Sequence, residues 1–211
     1  MIVMNSRAGL TVGFDLDMTL IDSRPGIKVA YDLLSAETGV PIDSDLVVGR
    51  LGPPVEQEIA NWFPAEAVDR TADRYRAIYA EHAVAGCLAL PGAHAAIAAV
   101  RAHGGRAIVV TGKYTPNARL NLDALGLDVD ALHGLVFGPE KGTVLRAEGA
   151  AVYVGDHLGD IVGALAAEAV PVGVSTGPYD AAALTEAGAA VVLADLTDFP
   201  DWLAGHLAAR V

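Results

Sequence analysis

Two aspartates, Asp15 and Asp17, end the apolar stretch "LTVGFDLDMTL", flanked by Phe14, Leu16 and Leu20. A carboxylate in apolar surroundings is costly unless a cation or hydrogen bond compensates it. Three further polar groups follow apolar runs in the same way. Thr111 ends "RAIVVT" and leads into Gly112 and Lys113; Lys141 follows "GLVFGPE"; Asp156 and Asp160 follow "AVYVG". Only three lysines, Lys28, Lys113 and Lys141, stand against eleven arginines, so two lysines at such positions carry weight. Carboxylates supply oxygen ligands for a hard divalent cation, nucleophiles and proton carriers. A hydroxyl and ammonium groups can receive an anion.

For these residues to act together, the chain must bring them to one place. The runs Arg106–Thr111, Gly134–Gly138, Ala150–Asp156, Val170–Gly177 and Ala189–Asp195 read as strands. Helical segments near Gly92–His103, Thr115–Leu125, Thr143–Glu148, Leu158–Ala169, Ala181–Ala187 and Phe199–Ala209 alternate with them. Strands apolar on both faces and separated by helices imply a parallel sheet covered on both sides. Such a sheet binds ligands at the carboxyl ends of its strands. Asp15, Asp17, Thr111, Lys141, Asp156 and Asp160 are therefore expected along one edge.

Residues 21–88 differ, offering helix after helix and no clear strand. Pro25 begins one helix and Gly39 ends it. The expected organisation is a doubly wound α/β core of residues 1–20 and 89–211, interrupted by an all-helical cap of residues 21–88. Within the cap, "GRLGPP" (Gly49–Pro54) reads as a turn between two helices, and Trp62 and Phe63 read as packing residues.

The ordered set resembles the haloacid dehalogenase superfamily, and within it the phosphoglycolate phosphatase-like enzymes. The D-x-D-x-T signature is matched by Asp15, Asp17 and Thr19, the second signature by Thr111, and the lysine by Lys141. The closing G-D-x-x-x-D is matched by Gly155, Asp156 and Asp160. The segment "FGPEKGTV" departs from the pattern in lacking the Lys-Pro pair common in relatives. The resemblance implies a Mg²⁺-dependent phosphatase acting on a small phosphorylated metabolite, with phosphoglycolate one substrate it suggests. It implies Asp15 as nucleophile, Asp17 as acid and base, and Thr111 and Lys141 as groups that hold and neutralise phosphate. Asp15, Asp156, the Asp17 carbonyl and Asp160 are implied as the metal site. Thr111, Gly112, Lys113 and the cap residue Arg50 are expected to meet substrate. His157 is expected as a loop residue and not a metal ligand, because Mg²⁺ prefers oxygen.

The bulk numbers agree with such an enzyme. Hydrophobic residues make up 53% of 211, enough for a packed core, and no apolar run reaches the length of a membrane span. A formal charge of −12 with no basic face argues against nucleic-acid binding. Cys87 is the only cysteine, which together with the lack of a secretory leader points to the cytoplasm, as a monomer or homodimer. Rival readings are a phosphosugar mutase of the same superfamily and a phosphoacceptor signalling domain. A dehalogenase needs no acid two residues after its nucleophile, so Asp17 argues against it.

Overall fold

The computed structural model describes residues 9–209. In chain order its strands are β1 (Thr11–Phe14), β2 (Ile21–Asp22), β3 (Leu88–Ala89), β4 (Arg106–Val110), β5 (Ala131–His133), β6 (Val152–Gly155), β7 (Val170–Val174) and β8 (Val191–Leu193). The α-helices are α1 (Arg24–Thr38), α2 (Ser44–Val48), α3 (Val55–Ile59), α4 (Val68–Ile78), α5 (Ala93–Ala102), α6 (Thr115–Ala124), α7 (Glu140–Ala147), α8 (Leu158–Ala166), α9 (Ala181–Glu186) and α10 (Phe199–Ala208).

Six strands form a parallel sheet in the order β5-β4-β1-β6-β7-β8. Successive side chains of a strand point to opposite faces, and here both faces are buried. Ala107 and Val109 join the apolar cluster that includes Ala96 and Val100 of α5 and Phe199 and Leu203 of α10. Ile108 and Val110 join the opposite cluster with Leu145 of α7 and Ala164 of α8. Full burial of such a side chain contributes roughly 1.5–3 kcal/mol. The sandwiched sheet therefore fixes the edge at which β1, β4 and β6 end, just before Asp15, Thr111 and Asp156. The doubly wound α/β architecture expected from the sequence is the one observed.

Helices α1 to α4 bury a cluster of their own, with Tyr31, Leu34, Ile59, Ala72, Tyr75 and Ile78 among its members. After α4 the chain continues as a π-helical turn over Tyr79–Ala83. At the two ends of this segment, β2 and β3 pair antiparallel as a ribbon separate from the central sheet. The sequence reading missed both, since two-residue strands have no periodicity to detect.

Two core elements differ from expectation. The edge strand lies at Ala131–His133, and Gly134–Gly138 is loop. Leu135 takes φ 59° and Gly138 φ 57°, values outside the β region. Leu135 and Val136 donate their N–H groups to the carbonyls of Lys113 and Thr111 (2.9 Å each), so this apolar segment braces the loop beside it. Helix α7 starts at Glu140, three residues earlier than expected, which places Lys141 in its first turn.

Candidate active site

β1 releases its chain into a tight knot. The Leu16 carbonyl accepts from the N–H groups of Thr19, Leu20 and Ile21 at 3.2, 2.9 and 3.1 Å. Asp15 still belongs to the sheet edge, donating its N–H to the Val154 carbonyl at 2.8 Å.

Lys141, Asp15, Asp156 and Asp160 are all buried at this edge. The Lys141 Nζ lies 2.6 Å from Asp160 Oδ1, 3.0 Å from the Tyr153 hydroxyl and 3.1 Å from Asp15 Oδ1. The last contact is an ion pair too poorly aligned to be a hydrogen bond, so Asp15 Oδ1 is buried with no hydrogen-bond partner. The Tyr153 hydroxyl in turn donates a hydrogen bond to the Val110 carbonyl at 2.6 Å. Asp156 Oδ1 accepts from the Thr19 hydroxyl at 2.8 Å.

Asp160 has both oxygens engaged: Oδ1 with Lys141, and Oδ2 accepting the His157 N–H at 3.0 Å. Gly155 makes this possible, because a Cβ there would stand 2.2 Å from Asp160 Oδ2.

Burial pushes the Asp15 carboxyl up to about 7; Lys141 opposes this, while Asp160 and Asp17 add to it. Burial also raises Asp156 well above the usual carboxylate range, helped by Asp160 and Asp15. For Lys141 burial favours the neutral amine, but Asp15 and Asp160 outweigh it and hold the ammonium charged. Three buried carboxylates thus face one buried ammonium. Asp15, Asp156 and Asp160 each offer an oxygen, all within 4.8 Å of one another. An all-oxygen, anionic donor set with an orphaned carboxylate oxygen suits a hard dication such as Mg²⁺.

Asp17 is held from the other side. Lys113 Nζ lies 3.0 Å from its Oδ1 and 4.2 Å from the ring centre of Tyr79. Tyr79 donates to Asn121 Oδ1 at 2.8 Å and touches Cys87 Sγ at 3.3 Å. Thr111 is buried at the end of β4, and its hydroxyl accepts the Lys113 N–H at 3.2 Å.

A cavity of about 90 Å³ separates this edge from the helical segment. Asp15, Asp17, Thr111, Gly112, Lys113 and Asp156 form its floor. Tyr31 of α1, Arg50 and Leu51 of the α2–α3 loop, and Tyr75 of α4 stand among its walls. Arg50 thus reaches the site, but its guanidinium is occupied by Glu58 through bonds of 2.8 and 2.6 Å, and Trp62 also donates to Glu58. The loop touches the core at two points. A Cβ on Gly112 would stand 3.1 Å from the Gly52 carbonyl, and one on Gly52 would stand 2.7 Å from His157 Cδ2.

His157 caps α8, its Nδ1 accepting the Gly159 N–H at 3.0 Å, and its ring packs on Phe137 and Tyr179. Burial lowers its basicity.

The structure brings Asp15, Asp17, Arg50, Thr111, Gly112, Lys113 and Asp156 to this one cavity, while Lys141 and Asp160 do not line it but are buried behind Asp15. Sequence reasoning missed Tyr153, Tyr79, Tyr31 and Tyr75. A tyrosine inside the aliphatic run "VYVG" had to find a hydroxyl partner. Tyr75 and Tyr79, four apart in "RYRAIY", had to share one helix face.

The cavity is floored by three acids, a hydroxyl and one lysine, with a second lysine buried behind Asp15, at the carboxyl edge of a doubly wound sheet. The family model for haloacid dehalogenase-like hydrolases matches residues 12–164, and the chain belongs to that family. It is 33% identical to the phosphoglycolate phosphatase of Rhodospirillum rubrum over 90% of this chain and 89% of the relative. Solved structures share the fold at lower identity. A predicted phosphatase from Clostridium acetobutylicum superimposes with TM-score 0.79 at 22% identity, covering 93% of this chain and 99% of the other. A structure from Bacteroides vulgatus, provisionally named a beta-phosphoglucomutase, gives 0.74 at 18%, covering 97% and 91%. Among the described residues no helix is long and apolar enough to cross a membrane.

Proposed function

We propose that the chain is a Mg²⁺-dependent phosphatase that hydrolyses a small organic phosphate monoester through an aspartyl-phosphate on Asp15. The observation that carries this reading is the pairing of two unlike acids. Asp15 is buried against Lys141 beside Asp156, whereas Asp17, two residues on, is held by Lys113 on the cavity floor. One acid is placed to attack and the other to carry a proton.

An Asp15 oxygen attacks phosphorus as the ester P–O bond breaks. Asp17 gives its proton to the departing oxygen, then takes one from the water that attacks the acyl phosphate, releasing phosphate and regenerating Asp15. The Thr111 hydroxyl and the Lys141 ammonium hold and neutralise phosphoryl oxygens. Asp15, Asp156 and the Asp17 backbone carbonyl would hold the ion. When bound, Mg²⁺ supplies charge neutralisation that lets a carboxylate approach a phosphate dianion. Asp160 acts from behind, orienting Lys141.

Residues 21–88 serve as a lid whose Gly49–Pro54 loop covers the cavity and excludes water during phosphoryl transfer. Phosphoglycolate enters as a substrate to test through the Rhodospirillum rubrum relative.

The experiment is phosphate release from a panel of phosphorylated metabolites with Mg²⁺ and with EDTA. Turnover requires the metal, and Asp15→Asn abolishes it. Full activity after exhaustive chelation would overturn the metal assignment. Near wild-type turnover by a contaminant-free Asp15→Asn enzyme would remove Asp15 as nucleophile.

A further inference from the structure

Tyr153 is the one polar side chain of β6, and only 1% of its surface is exposed. Its ring lies against the neighbouring strand at Gly13, the residue it pairs with in register. A Cβ on Gly13 would stand 2.8 Å from Tyr153 Cδ2, so the absence of a side chain there is what seats the ring. Glycine weakens a strand interior and marks a place that something else approaches closely.

The hydroxyl at the end of that ring is used twice. It donates to the Val110 carbonyl at 2.6 Å, so towards Lys141 Nζ, 3.0 Å away, it can only accept. Val110 lies one residue past the β1–β4 register, which ends at Phe14 and Val109, and directly precedes Thr111. One hydroxyl therefore ties the lysine of α7 to the strand end that carries Thr111.

The Lys141 ammonium has three protons to place. Asp160 Oδ1 takes one at 2.6 Å and Tyr153 takes another. The third remains on the side of Asp15 Oδ1, which at 3.1 Å is paired by charge without the alignment of a hydrogen bond. Without the Tyr153 oxygen, the ammonium is free to turn an unmet proton onto Asp15. That charge-assisted bond would tie up the carboxylate that has to attack. A carboxylate in place of the phenol would instead set a fourth buried acid against one cation. A neutral acceptor avoids both.

We infer that Tyr153 is a positioning residue for phosphoryl transfer: its hydroxyl holds the Lys141 ammonium so that one N–H stays available to a phosphoryl oxygen and Asp15 stays free to attack. This rests on the phosphatase reading above and adds to it a residue that does not line the cavity.

The test is Tyr153→Phe, which removes one oxygen. Initial rates on p-nitrophenyl phosphate at saturating Mg²⁺ give kcat and KM. Inhibition constants are measured for inorganic phosphate and for orthovanadate, whose five-coordinate form mimics phosphorus during transfer. The expected result is a kcat lower by about tenfold and a vanadate constant higher by about tenfold, with KM and the phosphate constant within about twofold. A merely structural role lowers the fraction of active enzyme and leaves inhibition constants where they were. Gly13→Ala, which keeps the hydroxyl but displaces its ring, should give the same pattern, and it decides the matter if Tyr153→Phe does not fold. An unchanged kcat, a lower kcat with an unchanged vanadate constant, or an equal rise in both constants overturns the positioning role while the phosphatase stands. No phosphate release by the wild-type enzyme from any ester overturns the phosphatase reading and this role with it.

Discussion

The Lys113 ammonium lies 4.2 Å from the ring centre of Tyr79 and directs its charge onto Asp17 at 3.0 Å. A residue of the helical segment thereby seats a lysine of the core loop, which in turn holds Asp17, the acid proposed to carry the proton.

Removing the Tyr79 ring should therefore cost more than removing its hydroxyl. Tyr79→Phe keeps the ring face and loses the bonds to Asn121 and Cys87, a change of about 1 kcal/mol in stability with turnover nearly kept. Tyr79→Leu removes the cation–π seat, worth about 0.5–2 kcal/mol, and should lower kcat roughly two- to thirtyfold by that argument. Kinetics combined with urea unfolding separate the two effects. Equal kcat losses in both variants would show that the ring face does not act through Lys113.

Lys141 is the one buried cation among Asp15, Asp156 and Asp160 in the described site. Lys141→Met should abolish turnover and lower stability by roughly 3–5 kcal/mol, the cost of leaving buried charge uncompensated. Chemical denaturation at neutral pH measures it. The destabilisation should shrink near pH 4, where Asp15 and Asp156, both raised by burial, take up protons instead.

Asp15 and Asp156 set a pH dependence in the metal-free protein. Burial raises Asp15 to about 7, so the folded state binds more protons than the unfolded state between that pH and the ordinary value near 3.9. Stability must then fall as pH rises through this window, by up to about 4 kcal/mol from Asp15. Asp156 shifts in the same direction. On the proposed assignment Mg²⁺ would bind the ionised forms, so it should raise Tm more at pH 8 than at pH 5. Thermal unfolding with and without EDTA checks this; a Mg²⁺ effect larger at pH 5 would contradict it.

Much of this site was legible because strand ends are easy to read. Apolar runs with both faces buried located β1, β4 and β6, and their terminal residues Asp15, Thr111 and Asp156 followed directly. The loop Gly134–Gly138 misled, because Val136 is apolar for packing on the core cluster of Ile108 and Val110, and Phe137 for packing on His157, and not for pairing in a ladder. The tyrosine contributions were illegible for another reason. Tyr79 meets Lys113 across 34 positions of sequence through tertiary packing, which no local periodicity encodes.

The contact between Gly52 and His157 gives the last prediction. Gly52 has φ 137°, a conformation that side chains rarely adopt, and a Cβ there would stand 2.7 Å from His157 Cδ2. The loop can lie this close to the core only because that position lacks a side chain. His157 is itself wedged between Phe137 and Tyr179 and fixed by its bond to Gly159, so it cannot simply turn away. Gly52→Ala should therefore hold the Gly49–Pro54 loop off the catalytic edge. The expected result is a kcat/KM loss of about tenfold or more on slow alkyl phosphates, which depend on water exclusion and full proton transfer. The loss on p-nitrophenyl phosphate, whose leaving group needs less help, should be smaller. His157→Ala removes the obstructing ring but not the backbone strain at φ 137°, so the double variant should recover part of the loss. Identical losses on alkyl and aryl esters, with no recovery in the double variant, would mean that Gly52 serves only the fold of its own loop and that its seat on His157 has no part in closure.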